Sequence, residues 1–315
     1  MTALSTLSTS VIRPLILRLA GHPRFRRIAT GTRPGRAVGG RFVAGETLDQ
    51  AMGVARELDR KRVAAMLDHL GENVETAAQS SDARDAYLAA LNAIRAVPTL
   101  DIAVSLKLTQ LGLDRSVKEC LANIEPVLAA ADDPATLVMI DMESHGYVER
   151  TLEVVRTVHA AHPRVGVALQ SYLRRSAADV FDLPAGIRVR LVKGSYLEPP
   201  DLVFTDKHEV DESFQRLFAT LFARGHAIDV ATHDPRILEG VRRIVDATED
   251  GWLRVEFQML YGVRRDLQAD LARRGYPVRV YIPYGTEWYP YLTRRLAERP
   301  ANMWFFASNL ARGAR

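Results

Sequence analysis

The sequence predicts an α/β protein folded as one (β/α)8 TIM-type barrel, and three observations carry that expectation. From about residue 41, short β-branched runs alternate with longer amphipathic stretches. Eight such runs fit within about 250 residues, the length that one closed barrel needs. No GxGxxG or GxxxxGKS/T phosphate loop follows a strand, so the main rival, an open doubly wound sheet, lacks its usual mark.

In chain order, a helix over 47–59 leads into the weakest strand, near 61–66 (KRVAAM). Strands follow at 101–107 (DIAVSLK), 136–141 (TLVMID), 165–170 (VGVALQ), 187–193 (IRVRLVK), 227–232 (AIDVAT), 253–258 (LRVEFQ) and 278–282 (VRVYI). Helical patterns lie between them at 115–130, 147–161, 211–224, 235–247 and 264–274. Gly225 and Gly275 stand where helices stop, while Pro235 and Thr286 stand near helix starts. Residues 1–40 are expected to form an N-terminal helical extension, and 41–315 the barrel.

Composition removes several classes of function. The net charge is only +4 and the basic residues are spread along the chain, which argues against a nucleic-acid surface. Cys120 is the only cysteine, so neither an intrachain disulfide nor a cysteine metal cluster forms, and no metal is expected. Arg13 and Arg18 interrupt the only apolar run near the start, and no run approaches the ~20 apolar residues of a spanning helix. The expected location is the cytoplasm, with the basic stretch Arg13–Arg41 a candidate contact to the inner face of the cell membrane.

Polar residues collect at the C-terminal ends of the proposed strands, which form the catalytic face of such a barrel. Lys107 ends one strand, Asp141 and Glu143 the next, and Gln170 another. Arg190 and Lys193 follow, then Thr232 and His233, Glu256 and Gln258, and Tyr281. Any one of these is commonly structural, but seven strands each delivering a polar group point to a functional mouth. Strand alternation sets Asp141 and Glu143 on one side and Met142 on the other. An inward Arg190 is costly without a partner, so it is either in a buried ion pair, with Asp141 or Glu256, or kept for an anionic ligand. On the last helix, with Thr286 as N-cap, Tyr291, Arg294, Arg295 and Glu298 share one stripe. Paired guanidinium groups match the fork of a carboxylate, and Glu298 can orient one of them.

Together these segments resemble the proline dehydrogenase family. The likeness is carried by VSLKLTQLG (104–112), IDMES (140–144), QSYLRRS (170–176), RLVKGSY (190–196), DVATHD (229–234), EFQMLYG (256–262) and YIPYGTEWYPYLTRRLAER (281–299). FVAGET (42–47) and LDHLGENV (67–74) add to it. The resemblance implies a distorted (β/α)8 barrel with the final helix over the catalytic mouth and FAD lying across the strand ends. It implies L-proline as substrate, oxidised to 1-pyrroline-5-carboxylate, with electrons passed to membrane quinone. By position it makes Lys107, Arg294 and Arg295 carboxylate binders, with Tyr281 and Tyr291 walling the ring. The FAD contacts it implies are Met142, Gln170, Arg190, Val192, Lys193, Gly194, Thr232 and His233. Asp141 and Arg190 would serve the chemistry, Asp141 by orienting Lys107 and Arg190 by stabilising the reduced flavin. The chain departs from the family at Leu197, where an aromatic is usual. A flavin-barrel reductase of the methylenetetrahydrofolate reductase type is the alternative, disfavoured by the paired arginines, and a non-catalytic barrel is the other.

Overall fold

Eight parallel strands close into a barrel, each hydrogen-bonded to the next and β8 back to β1, in the computed structural model, which describes residues 39–71, 74–132 and 135–292. The strands are β1 (Ala64–His69), β2 (Ile102–Leu106), β3 (Val138–Ile140), β4 (Val165–Gln170), β5 (Arg188–Val192), β6 (Ala227–Ala231), β7 (Val255–Leu260) and β8 (Val278–Tyr284). The helices around them are α1 (Leu48–Asp59), α2 (Ala77–Arg95), α3 (Val117–Ala131), α4 (Val148–His159), α5 (Lys207–Ala223), α6 (Pro235–Asp246) and α7 (Arg265–Arg273). Between β4 and β5 a single helical turn, Ser176–Asp179, and a 3-10 turn replace a full helix. The extension expected over 1–40 lies outside the described residues except for its last two positions.

Helix starts follow capping chemistry. In both α1 and α2 a threonine accepts from the backbone N–H three residues on, and a glutamine there reaches back to the threonine N–H. Asp206 and Asp234 cap α5 and α6 in the same sense, and Pro235 opens α6 where its missing N–H costs nothing. The sequence pattern misses α2 altogether. Its buried face reads Ser80, Ala83, Tyr87, Ala90, Leu91 and Ile94, too many small residues for a clear apolar stripe. The last helix is helical from Trp288, a residue later than a Thr286 cap would place it.

Alternation along the strands divides the interior in two. Val104, Ile140, Val167, Val189, Val230, Phe257 and Val280 point outward and pack beneath the helices, forming the large hydrophobic core. Inside the barrel only a small apolar plug, Met66, Ala103 and Met139, fills the lower space. Gly166 makes room for that plug, because a Cβ there would fall 2.6 Å from the Met139 methyl.

Below and beside the plug the interior is charged. Arg279 donates to Glu256 at 2.8 Å and to Asp101 at 3.0 Å, and Arg188 pairs with the fully buried Asp229. Glu256 therefore sits low in the barrel, one residue into β7, rather than at the mouth where its sequence position suggested a strand end. Burial pushes the Asp229 carboxyl up to about 6, only partly opposed by Arg188. A carboxyl whose folded pKa lies above its unfolded value holds its proton better in the folded chain. Its contribution is thus fully present below the ordinary value of 3.8 and is lost as pH rises through about 6. Asp229→Asn should remove this dependence, gaining on the order of 1–3 kcal/mol relative to the parent between acid and neutral pH. Urea unfolding of both proteins across that pH range measures the difference, and parallel pH curves would refute the assignment.

Candidate active site

At the C-terminal ends of the strands the barrel opens into a cavity of about 380 Å³. Every described residue expected to touch substrate or cofactor lines it, whereas Glu143 and Glu256 do not. Those that line it are Lys107, Asp141, Met142, Gln170, Arg190, Val192, Lys193, Gly194, Thr232, His233, Tyr281 and Tyr291. Arg294, Arg295 and Glu298 lie outside the described residues.

The centre of the mouth is the Asp141 carboxylate, placed directly after β3 by a backbone bond from its N–H to Leu106 O at 2.8 Å. It accepts from Arg190 NH1 at 2.6 Å, Ser105 Oγ at 2.7 Å, Tyr281 Oη at 2.8 Å and Lys107 Nζ at 3.1 Å. Burial alone would raise this carboxyl. The Lys107 and Arg190 charges, joined by the Ser105 and Tyr281 hydroxyls, hold it below the ordinary value instead, so it stays ionised. Of the two roles open to Arg190 in the sequence, the structure shows the ion pair, and with Asp141 rather than Glu256. Its Nε donates to Gln258 Oε1 at 2.8 Å, and its guanidinium lies 5.2 Å from the centre of the Tyr281 ring. NH2 meets the Met66 sulfur, a weak acceptor.

Lys107 follows β2 and is nine-tenths buried. Its ammonium sits 2.8 Å from Asp68 Oδ1 as well as beside Asp141, and Tyr281 Oη lies 3.5 Å away. Burial would lower it, but the flanking Asp68 and Asp141 carboxylates outweigh that and hold it well above the usual lysine value. Asp68 itself, fully buried, is raised by burial more than Lys107 lowers it. The sequence reading had no place for Asp68. Its strand was set three residues early, which left Asp68 in a loop, although the motif LDHL contains it.

Three predicted positions have structural duties too. Gln170, ending β4, donates to Glu143 O at 2.8 Å, and Thr232 Oγ1 accepts from the Asp234 N–H at 3.2 Å. His233 Nε2 accepts from Leu260 N at 3.0 Å, which fixes its ring and tautomer. Glu143 does not share the mouth with Asp141 as strand alternation suggested, because β3 ends at Ile140. Its carboxylate turns to Thr109, accepting from the hydroxyl at 2.7 Å and the backbone at 3.2 Å.

Beyond β5 the chain turns through Gly194, whose φ of +109° few other residues adopt. A Cβ there would fall 2.0 Å from the Tyr172 ring, so the missing side chain lets that ring pack against the backbone at the cavity edge. Beside it Lys193 pairs with Asp211 at 2.5 Å and Asp234 at 2.9 Å, and Lys207 reaches the same two carboxylates. Ala168 and Ala231, short side chains on β4 and β6, leave one side of the cavity broad and apolar. The arrangement offers short and apolar side chains, cations and a buried cation–anion cluster around one space: room for a ring system with a small charged molecule beside it.

Comparison with known proteins identifies relatives. The family model described as proline dehydrogenase matches residues 51–308. Proline dehydrogenase of Deinococcus radiodurans is 38% identical over 307 residues, covering 96% of this chain and 98% of the relative. Proline dehydrogenase 1 of Bacillus subtilis subsp. natto is 39% identical over 280 residues, covering 88% and 91%. Among solved structures, proline utilization A of Bdellovibrio bacteriovorus, inactivated by N-propargylglycine, superposes with a TM-score of 0.75 at 24% identity over 83% of this chain. A variant of proline utilization A from Bradyrhizobium japonicum gives 0.73 at 25% identity over 89%. The chain spans about a third of these two larger proteins, 32% of each.

The Asp141 hub makes the mouth depend on one carboxylate. Asp141→Ala leaves Arg190 without a carboxylate partner, and Lys107 with Asp68 alone, in a largely buried site and should destabilise the fold by about 3–5 kcal/mol. Denaturant unfolding checks it, and a loss below about 1 kcal/mol would show that the cluster is solvated instead.

Proposed function

The chain belongs to the proline dehydrogenase family, and from that premise we propose that its barrel mouth holds FAD and oxidises L-proline to 1-pyrroline-5-carboxylate. Members of this family are flavin-dependent oxidoreductases, and proline oxidation is the first step of proline catabolism. The alternative reading, a methylenetetrahydrofolate-reductase-type barrel, falls away with the family assignment. The observation that carries the finer proposal is convergence. Residues from β2 to β8, each expected to touch proline or FAD, meet at one cavity with an apolar wall.

The residues present suit a flavin. Ala168 and Ala231 present only methyl groups to the cavity, and Arg190 has a donor whose described partner is only a thioether. Gln170, Val192, Lys193, Thr232 and His233 would hold it at the rim, with the Met142 backbone opposite. The chemistry FAD supplies when bound is acceptance of the C5 hydride at N5. Arg190 would place its charge where the reduced ring is negative.

The protein's share is position and field. Lys107, with Arg294 and Arg295 from the final helix and Glu298 orienting them, would fix the proline carboxylate, while Tyr281 and Tyr291 wall its ring. Positive charge near the substrate amine lowers its pKa and favours the neutral form from which hydride leaves. Asp141, held as a carboxylate, orients Lys107 and is a poor general base. We place the electron acceptor in the membrane as quinone, with the basic N-terminal stretch contacting the cytoplasmic surface. Among the described residues no helix is long and apolar enough to cross a membrane.

Proline added without oxygen to the purified protein should bleach its visible flavin band, and a quinone analogue should restore it. A band unmoved by proline would end the substrate assignment; reduction without quinone reoxidation would end the acceptor alone. Arg295→Lys should raise KM for proline by about tenfold or more, the cost of losing a bidentate carboxylate contact, with flavin retained. An unchanged KM in steady-state kinetics would remove Arg295 from the carboxylate clamp.

A further inference from the structure

Asp68 has no assigned part in this site, yet its surroundings are hard to explain as packing. It is fully buried on β1, its Oδ1 accepts from Lys107 Nζ at 2.8 Å, and its Oδ2 has no hydrogen-bond partner among the described residues. A buried carboxylate with a single partner costs several kcal/mol, more than an apolar side chain of similar size would. The groups facing it are Lys107, Asp141 and Tyr281 across the mouth, with His69, Tyr87 and Tyr284 behind.

The strand end that carries Asp68 is held firmly. His69 O accepts from Gln110 Nε2 at 3.1 Å, and Gln110 in turn accepts from the buried Tyr87 hydroxyl. The Leu70 N–H donates to Tyr284 O at 2.8 Å, and the His69 ring packs 5.4 Å from that of Tyr284. Lys107, by contrast, ends a four-carbon stem with about 2 kcal/mol of rotamer entropy to lose. It needs a fixed anchor if its ammonium is to meet a ligand carboxylate in one place. Asp141 is a divided anchor, being shared among Arg190, Ser105, Tyr281 and Lys107. Asp68 has Lys107 as its one charged partner, with the Tyr281 hydroxyl beside it, and makes the shorter of the two carboxylate contacts to Lys107.

We propose that Asp68 is a positioning residue, the dedicated counter-ion that pins the Lys107 ammonium at the barrel mouth so that it can receive the substrate carboxylate. This rests on the reading of Lys107 as a carboxylate binder given above. Asp68 touches neither substrate nor flavin; it acts through Lys107.

The test measures binding of tetrahydro-2-furoic acid, a proline analogue with the carboxylate and no amine, by its perturbation of the flavin spectrum. Steady-state proline kinetics and thermal unfolding accompany it. Asp68→Ala should weaken the analogue by about tenfold or more and raise KM for proline in parallel, with kcat much less affected. Asp68→Asn keeps an acceptor near Oδ1 and should restore most of that affinity. In a Lys107→Met background, Asp68→Ala should change analogue affinity by less than about twofold, because its partner is already gone. Additive losses in the double variant would overturn the proposal. So would an Asp68→Ala protein that unfolds at lower temperature but binds the analogue as the parent does. Failure of the parent itself to bind the analogue, or an unchanged affinity in Lys107→Met alone, would instead overturn the carboxylate-site reading on which the proposal stands.

Discussion

The arrangement at the barrel mouth depends on a neutral four-charge cluster, Asp68, Lys107, Asp141 and Arg190, drawn from four strands or their ends. None of the four would be tolerated there alone, since an isolated ion in a dry interior costs far more than a fold of this size can spare. Together each charge is answered, and Ser105 and Tyr281 complete the hydrogen bonds around Asp141. The cluster also fixes relative strand positions at the mouth, because β1, β2, β3, β5 and β8 all contribute a group to one network.

That polar interior continues downward. Arg190 donates to Gln258, Gln258 Nε2 donates to Glu256 at 3.0 Å, and Glu256 accepts from Arg279, which reaches Asp101 at the floor. Barrels of this class usually fill the interior with layers of branched apolar side chains. Here the apolar layer inside shrinks to Met66, Ala103 and Met139, and the hydrophobic stabilisation comes from the shell between strands and helices. The division frees the upper barrel for groups chosen by charge and hydrogen bonding rather than volume.

Much of this was legible in the sequence, for physical reasons. Strands buried on both faces read as continuous β-branched runs, so β2 and β4 to β8 were placed within a few residues. The gathering of polar residues at strand ends also assigned Lys107, Asp141, Arg190 and Tyr281 to one mouth. What failed were the places where local signal and tertiary role diverge. Asp68 and His69 end β1 with polar residues that look like loop, and Arg62, at a φ of 58°, belongs to the turn before it. Helix α2 buries small side chains that carry little periodic contrast, though its Thr76–Gln79 capping box was there to be read. Glu256 was given to the mouth because β7 begins at Val255, two residues later than expected, and a shift of two leaves the alternation unchanged. Glu143 was misplaced because alternation was carried past the end of β3.

The electrostatic character of the mouth also bears on which residue could act as a base. Burial holds the Tyr281 hydroxyl well above its ordinary value, so it is a neutral donor to Asp141. Asp141 is held low by its cations, and Lys107 is held protonated by its carboxylates. Tyr281, Asp141 and Lys107 are therefore held in their resting protonation states. A site so arranged is poorly suited to chemistry that shuttles protons through its own side chains. It is well suited to a reaction in which the electrons leave as hydride to a bound acceptor and the protein supplies only a fixed field. The requirement then falls on rigidity, and every cation at the centre of the mouth is held by a partner on a different strand.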